Sequence, residues 1–183
     1  MRIWPEFVAA TTVLVLGSGV LGSGPGAIAI EERPRPECTI TGSNQEDHLR
    51  GTEGRDVICA RGGGDRIRGM GGDDVLILGP GNDVFDAGPG DDRVLGGNGR
   101  DFGIGGRGDD RIFLMSGGDI AEDWYGLDLI VGGVGDDSLC VFDGRSKAPS
   151  DTALGGPGPD YVGANVEDVV RSADIVFYGG CWD

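Results

Sequence analysis

Aspartate recurs at residues 47, 56, 65, 74, 83, 92, 101, 110, 119, 128 and 137, each step nine residues long. Laid out in nines from Gly42, the chain gives eleven contiguous rows ending at Cys140. Position 6 of every row is Asp. Position 4 is Gly in all rows but the first, where Gln45 stands. Position 8 reads Leu49, Ile58, Ile67, Leu76, Phe85, Val94, Gly103, Ile112, Ala121, Ile130 and Leu139, an apolar column interrupted by Gly103 and weakened at Ala121. A repeat this short is one supersecondary unit that must stack on its neighbours to bury anything, so the period points to a solenoid.

Composition alone would suggest otherwise. Of 183 residues 38 are Gly, and the net charge is −16. Such acidity with few large apolar residues is the signature of disorder, but a random Gly/Asp mixture would not hold its apolar residues in one column. Gly and Asp are both poor in helix interiors, which argues against a helical bundle. The charge repels phosphate backbones and anionic membranes, so neither nucleic acid nor, for the mature form, a membrane is an expected partner. It suits a hard cation.

The consensus is G-G-x-G-x-D-x-U-x, with U a large apolar residue, and it is clean at Gly96-Gly97-Asn98-Gly99-Arg100-Asp101, Gly105-Gly106-Arg107-Gly108-Asp109-Asp110 and Gly132-Gly133-Val134-Gly135-Asp136-Asp137. It resembles the haemolysin-type (RTX) calcium-binding nonapeptide repeat. The resemblance covers residues 42–140 and one isolated row at Gly155–Gly163. It implies an all-β, right-handed parallel β-roll (a β-solenoid) with two short-strand sheets and Ca-binding turns.

In each row the first six positions are expected to turn and the last three to be extended, with position 8 inward and positions 7 and 9 outward. Two rows then make one coil, row n stacks on row n+2, and the position-8 columns meet as a narrow core. Stacked turns bring carboxylates together, which is repulsive without a cation. Multiple Ca²⁺ ions held by Asp carboxylates and backbone carbonyls would relieve this. The expected metal ligands are Asp56, Asp65, Asp74, Asp83, Asp92, Asp101, Asp110, Asp128 and Asp137. Weak or empty sites are expected at the rows of Gly42, Leu114 and Asp123, which lack consensus glycines. Phe85 lies one stacked strand from Gly103, and its ring is expected to cover that gap.

Residues 1–29 read as a signal peptide: an apolar run from Phe7 to Leu21, then Ala27-Ile28-Ala29, with a mature start at Ile30. The G-x-G-x-x-G at Gly17–Gly22 lies inside this segment with no βαβ context, so it is not a dinucleotide fingerprint. Residues 30–41 form an N-terminal cap, 42–140 the repeats, and 141–183 a loop, one further row and a C-terminal cap; Asp174–Tyr178 reads as a strand. Four Cys in an exported chain allow three pairings. Cys38–Cys59 with Cys140–Cys181 is the expected set, because each bridge staples one end of the coil.

The sole His, His48, falls at an outward position beside the weakest row, with no nucleophile motif around it. The chain therefore reads as no enzyme. It reads as a secreted, extracellular calcium-binding protein that folds on taking up its ions. The alternatives are a calcium-dependent adhesion or matrix module with an extracellular partner and, with less support, a hydrolase using Asp143, Asp151 and Asp160 in the C-terminal region.

Overall fold

Wherever such a row is extended it must alternate inward and outward. The computed structural model of the chain shows how far that extension runs. It describes residues 37–141, 151–164, 169–171, 173 and 175–178. The chain divides into residues 1–33 and 34–183. The first unit, with the expected signal peptide, lies outside the described residues.

Sixteen strands follow one another with no helix among the described residues. They are β1 (Ile40–Thr41), β2 (His48–Arg50), β3 (Val57–Cys59), β4 (Arg66–Arg68), β5 (Val75–Pro80), β6 (Val84–Pro89), β7 (Arg93–Asn98) and β8 (Phe102–Arg107), then β9 (Arg111–Ser116), β10 (Ile120–Asp123), β11 (Leu129–Val134), β12 (Ser138–Val141), β13 (Thr152–Leu154), β14 (Tyr161–Ala164), β15 (Val169–Arg171) and β16 (Ile175–Tyr178). Odd-numbered strands form one eight-stranded sheet and even-numbered strands the other. All pairings are parallel, and from β1 to β12 the register steps by eighteen residues, as in Val75 to Arg93 to Arg111. The fold is the parallel β-solenoid expected, with two rows per coil.

The strands are longer than the sequence suggests. β5 to β9 and β11 each run six residues, from position 7 of one row to position 3 of the next. The ladder carries on through position 1 and beyond, as in Gly79 opposite Gly97 and Gly97 opposite Met115. Alternation therefore continues, and position 1 points inward as position 8 does. Ala60, Leu78, Ala87 and Leu114, all at position 1, are buried beside Ile58, Leu76, Phe85 and Ile112. The core thus takes two inward positions per row rather than one.

Left-handed backbone occurs at position 2 or 4 of the turns. At Gly99 (φ 125°) a side chain would strike the carbonyl oxygen of Gly81 one coil away, so only glycine lets the coils stack. Arg61, Met70 and Met115, at position 2, hold φ of 81°, 84° and 77° without being glycine, a conformation that is strained for such residues.

The loop expected from Val141 to Leu154 is shorter than its sequence suggests. Val141 ends β12, and Asp151 leads straight into β13, whose Thr152 pairs with Leu129 at a spacing of twenty-three. An insertion of five residues is absorbed while the ladder resumes in register. The row at Gly155 delivers β14, and β16 falls within the strand expected at Asp174–Tyr178. β15 was not anticipated. It and β16 extend the two sheets, so the C-terminal region continues the coil.

Cys38 and Cys59 form the expected disulfide, with Cα atoms 5.8 Å apart, tying the entry to β1 onto β3. The second expected bridge requires Cys181, outside the described residues. His48 is exposed on β2, 3.9 Å from Glu46.

Candidate metal centre

Each turn ends on the position-6 Asp, and the parallel stacking decides what those carboxylates meet. Along one edge the backbone N–H of each Asp donates to Oδ1 of the Asp one coil on: Asp56 to Asp74, Asp74 to Asp92 and Asp92 to Asp110 (2.7 Å each), then Asp110 to Asp128 and Asp128 to Asp151 (3.0 Å each). Along the other edge Asp47, Asp65, Asp83, Asp101, Asp119, Asp137 and Asp160 are linked the same way. All nine Asp residues expected to serve as ligands stand in these two ladders. So do Asp119, Asp151 and Asp160. The last two had been considered for hydrolysis; the third of that group, Asp143, lies outside the described residues. Asp151 was hidden by the insertion before it, although its D-x-U context, Asp151-Thr152-Ala153, carries the signal.

One oxygen per carboxylate is spent on the ladder. The second, Oδ2, is buried and receives no hydrogen bond in Asp65, Asp74, Asp83, Asp92, Asp101, Asp110, Asp119 and Asp137. A buried acceptor without a partner is costly, and a column of charged ones more so. Where position 1 is glycine, in the rows of Asp74, Asp101, Asp110 and Asp137, Oδ2 faces the space that the missing side chain leaves open. A Cβ added at Gly96 would lie 2.8 Å from Asp101 Oδ2 and 2.6 Å from the Leu114 carbonyl oxygen, which comes from the next coil. One added at Gly69 would lie 2.6 Å from Asp74 Oδ2 and strike the carbonyl oxygen of Ala87. Carboxylate and carbonyl oxygens from adjacent coils therefore converge, with no nitrogen or sulfur donor among them. That donor set fits a hard cation such as Ca²⁺.

The first two turns are built differently. Asp47 Oδ2 accepts the Ser43 N–H (2.6 Å) and the Ser43 hydroxyl (2.8 Å). Asp56 Oδ2 accepts the Thr52 N–H (2.7 Å) and hydroxyl (2.9 Å), while its Oδ1 accepts the Thr39 hydroxyl (3.1 Å). Asp56, expected as a metal ligand, thus has both oxygens satisfied by the protein. A hydroxyl residue at position 2 is the sequence signal for this difference.

The row of Asp123 departs in the opposite direction. Its position 1 points inward like every other, so a carboxylate is carried into a column of Gly, Ala and Leu. Asp123 is 1 % exposed. Its Oδ1 accepts the N–H groups of Trp124 (2.9 Å) and Gly106 (3.2 Å). Ligand atoms of Asp110, Asp123 and Asp128 all lie within 4.8 Å of one another. This turn, where a weak or empty site was expected for want of glycine, brings three carboxylates together, and the consensus did not single out Asp123.

The electrostatics divide along the same line. Hydrogen bonds from Ser43 and Thr52 hold the Asp47 and Asp56 carboxyls below their ordinary value. Burial, with repulsion from neighbouring carboxylates, raises Asp74, Asp83 and Asp137. It pushes Asp92 and Asp119 to about 6, Asp101 to about 7, Asp110 to about 8 and Asp123 to about 9.

A family model described as the RTX calcium-binding nonapeptide repeat (4 copies) matches residues 39–67, 60–94, 68–103, 95–122 and 104–139, together more than half of the chain. No curated protein matches the sequence. Among the described residues, no helix is long and apolar enough to cross a membrane.

Proposed function

Because the chain belongs to the RTX calcium-binding nonapeptide repeat family, we propose that it is a secreted protein whose turns take up several Ca²⁺ ions and whose folding is completed by them. One observation carries this reading: the column of buried Asp Oδ2 atoms that no protein group satisfies. The ions would be held by Asp65, Asp74, Asp83, Asp92, Asp101, Asp110, Asp119, Asp128 and Asp137, together with backbone carbonyls of neighbouring coils. Asp56 holds a turn closed through Thr52 and contributes least. Calcium supplies the positive charge that lets stacked carboxylates approach. The role is binding rather than catalysis, because the position-6 acids, with Asp151 and Asp160, are committed to the ladders.

Secretion is supported by the N-terminal apolar segment and by the Cys38–Cys59 bridge, since disulfides persist in oxidising compartments. Circular dichroism in chelator and then in millimolar calcium tests the central claim, and a spectrum indifferent to calcium defeats it. Mass spectrometry of the exported protein tests the start at Ile30.

A second reading, a calcium-dependent adhesion or matrix module, is favoured by one surface feature. Ile104, Trp124 and Tyr125 are exposed beside Pro89 and Arg107 in a shallow groove. The Arg107 guanidinium sits 5.7 Å from the centre of the Tyr125 ring. Cell or glycan binding that requires calcium and is lost in Trp124→Ala distinguishes this reading.

A further inference from the structure

We propose that Asp123 turns the step between Asp110 and Asp128 into a three-carboxylate cation site that fills before the other turns of the coil. The inference rests on the calcium reading above and adds to it one site of different composition.

Three observations carry it. First, at this step Asp123 stands at position 1, where the corresponding turns of the same edge carry Gly51, Gly69, Ala87 and Gly105. Strand alternation then sends its side chain inward beside the ladder. Second, the oxygens converge. A Cβ built at Gly105 would strike Asp123 Oδ2 and lie 2.7 Å from Asp110 Oδ2, so both carboxylates face the same opening that Gly105 leaves. Third, Asp123 and Asp110 are each 1 % exposed, and Oδ2 of each is buried with no hydrogen-bond donor. Oδ1 of Asp123 is meanwhile anchored by the Trp124 and Gly106 N–H groups, which fixes the carboxylate's direction.

An ordinary step of the ladder would offer an ion two Asp carboxylates, each also offered to the next step; this step would offer a third, Asp123. Affinity for a hard cation rises with the number of charged ligands and with the rigidity of the site, so the first ion goes here. Three negative charges also match a trivalent lanthanide better than a divalent ion, which makes terbium a suitable probe. The Trp124 indole, on the next residue, is placed to sensitise its emission.

The test is a calorimetric calcium titration of the full chain, with Asp123→Asn and Asp123→Gly as variants. Asn keeps the shape, and Gly restores the residue most turns of this edge carry. The expected result is that the tightest binding step weakens about tenfold or more in both variants. Later steps stay in place. Terbium emission excited through tryptophan should rise with the first equivalent in the wild type and only later in the variants. A tightest step unchanged in both variants, or emission arriving at the same equivalent in all three proteins, overturns the inference. If calcium still folds the protein in that case, only the role of Asp123 fails. If the wild type takes up no calcium, the broader reading fails with it.

Discussion

The phenyl ring of Phe85 lies against the backbone of Gly103, its register partner one coil on: a Cβ built at Gly103 would sit 2.5 Å from both Cγ and Cδ1 of that ring. The ring fills what the missing side chain would have left, as aromatics do beside glycine in sheets. Phe85→Ala should therefore open two gaps in the column at once. The expected cost is about 4 kcal/mol, near the middle of the range for buried Phe truncation. Leu76→Ala, equally buried but facing filled positions, should cost less. Melting temperatures of the calcium-loaded variants check this, and equal losses would count against it.

The pH response of the calcium-free chain follows from the raised carboxyls. From an unfolded value of 3.8, Asp92, Asp119, Asp101, Asp110 and Asp123 rise to between about 6 and about 9. A raised carboxyl binds its proton more tightly in the folded state. The calcium-free fold is thus most stable near the unfolded value and loses stability as pH climbs through that window. Asp47 and Asp56, whose values are lowered, act oppositely and only below 3.8. In chelator, circular dichroism should show more structure at about pH 5 than at about pH 8. A calcium-free signal independent of pH between about 5 and about 8 would contradict the buried ladder.

Asp56 and Asp92 occupy the same ladder but should respond in opposite ways to loss of charge. Asp56→Asn weakens hydrogen bonds to Thr52 and Thr39. It should cost about 1–2 kcal/mol with or without calcium. Asp92→Asn keeps an oxygen for the Asp74 N–H and removes a buried charge that Asp74 repels. It should stabilise the calcium-free chain and weaken calcium uptake. Urea unfolding with and without calcium measures both, and a loss of calcium-free stability in Asp92→Asn would refute the distinction.

The Cys38–Cys59 bridge closes a loop with a sequence separation of 21 around the first coil of the described residues. Replacing both cysteines with Ser should cost about 3 kcal/mol on loop-closure grounds. Limited proteolysis should then cut first near β1 and β2. Cleavage unchanged from the bridged protein would show that the Ser43 and Thr52 turns hold this end unaided.

The nine-residue spacing of Asp by itself pointed to a solenoid, and the resemblance to the RTX repeat implied the two-row coil and the pairing of residues eighteen apart. It also led to the acidic ladders, since every position-6 Asp had to land on another. The tertiary structure decided the rest. How far each strand ran depended on whether the parallel ladder could continue through position 1, and a single row does not contain that answer. Once it did continue, position 1 became a core position. A glycine-to-aspartate departure at residue 123 then stopped being a defect in the consensus and became a buried third carboxylate beside Asp110. That Asp151 joins the ladder was decided by the fold, in which the Asp128 N–H donates to Asp151 across a spacing of twenty-three. At position 2 of the first two rows, the hydroxyls of Ser43 and Thr52 reach in the fold the oxygens that elsewhere have no donor.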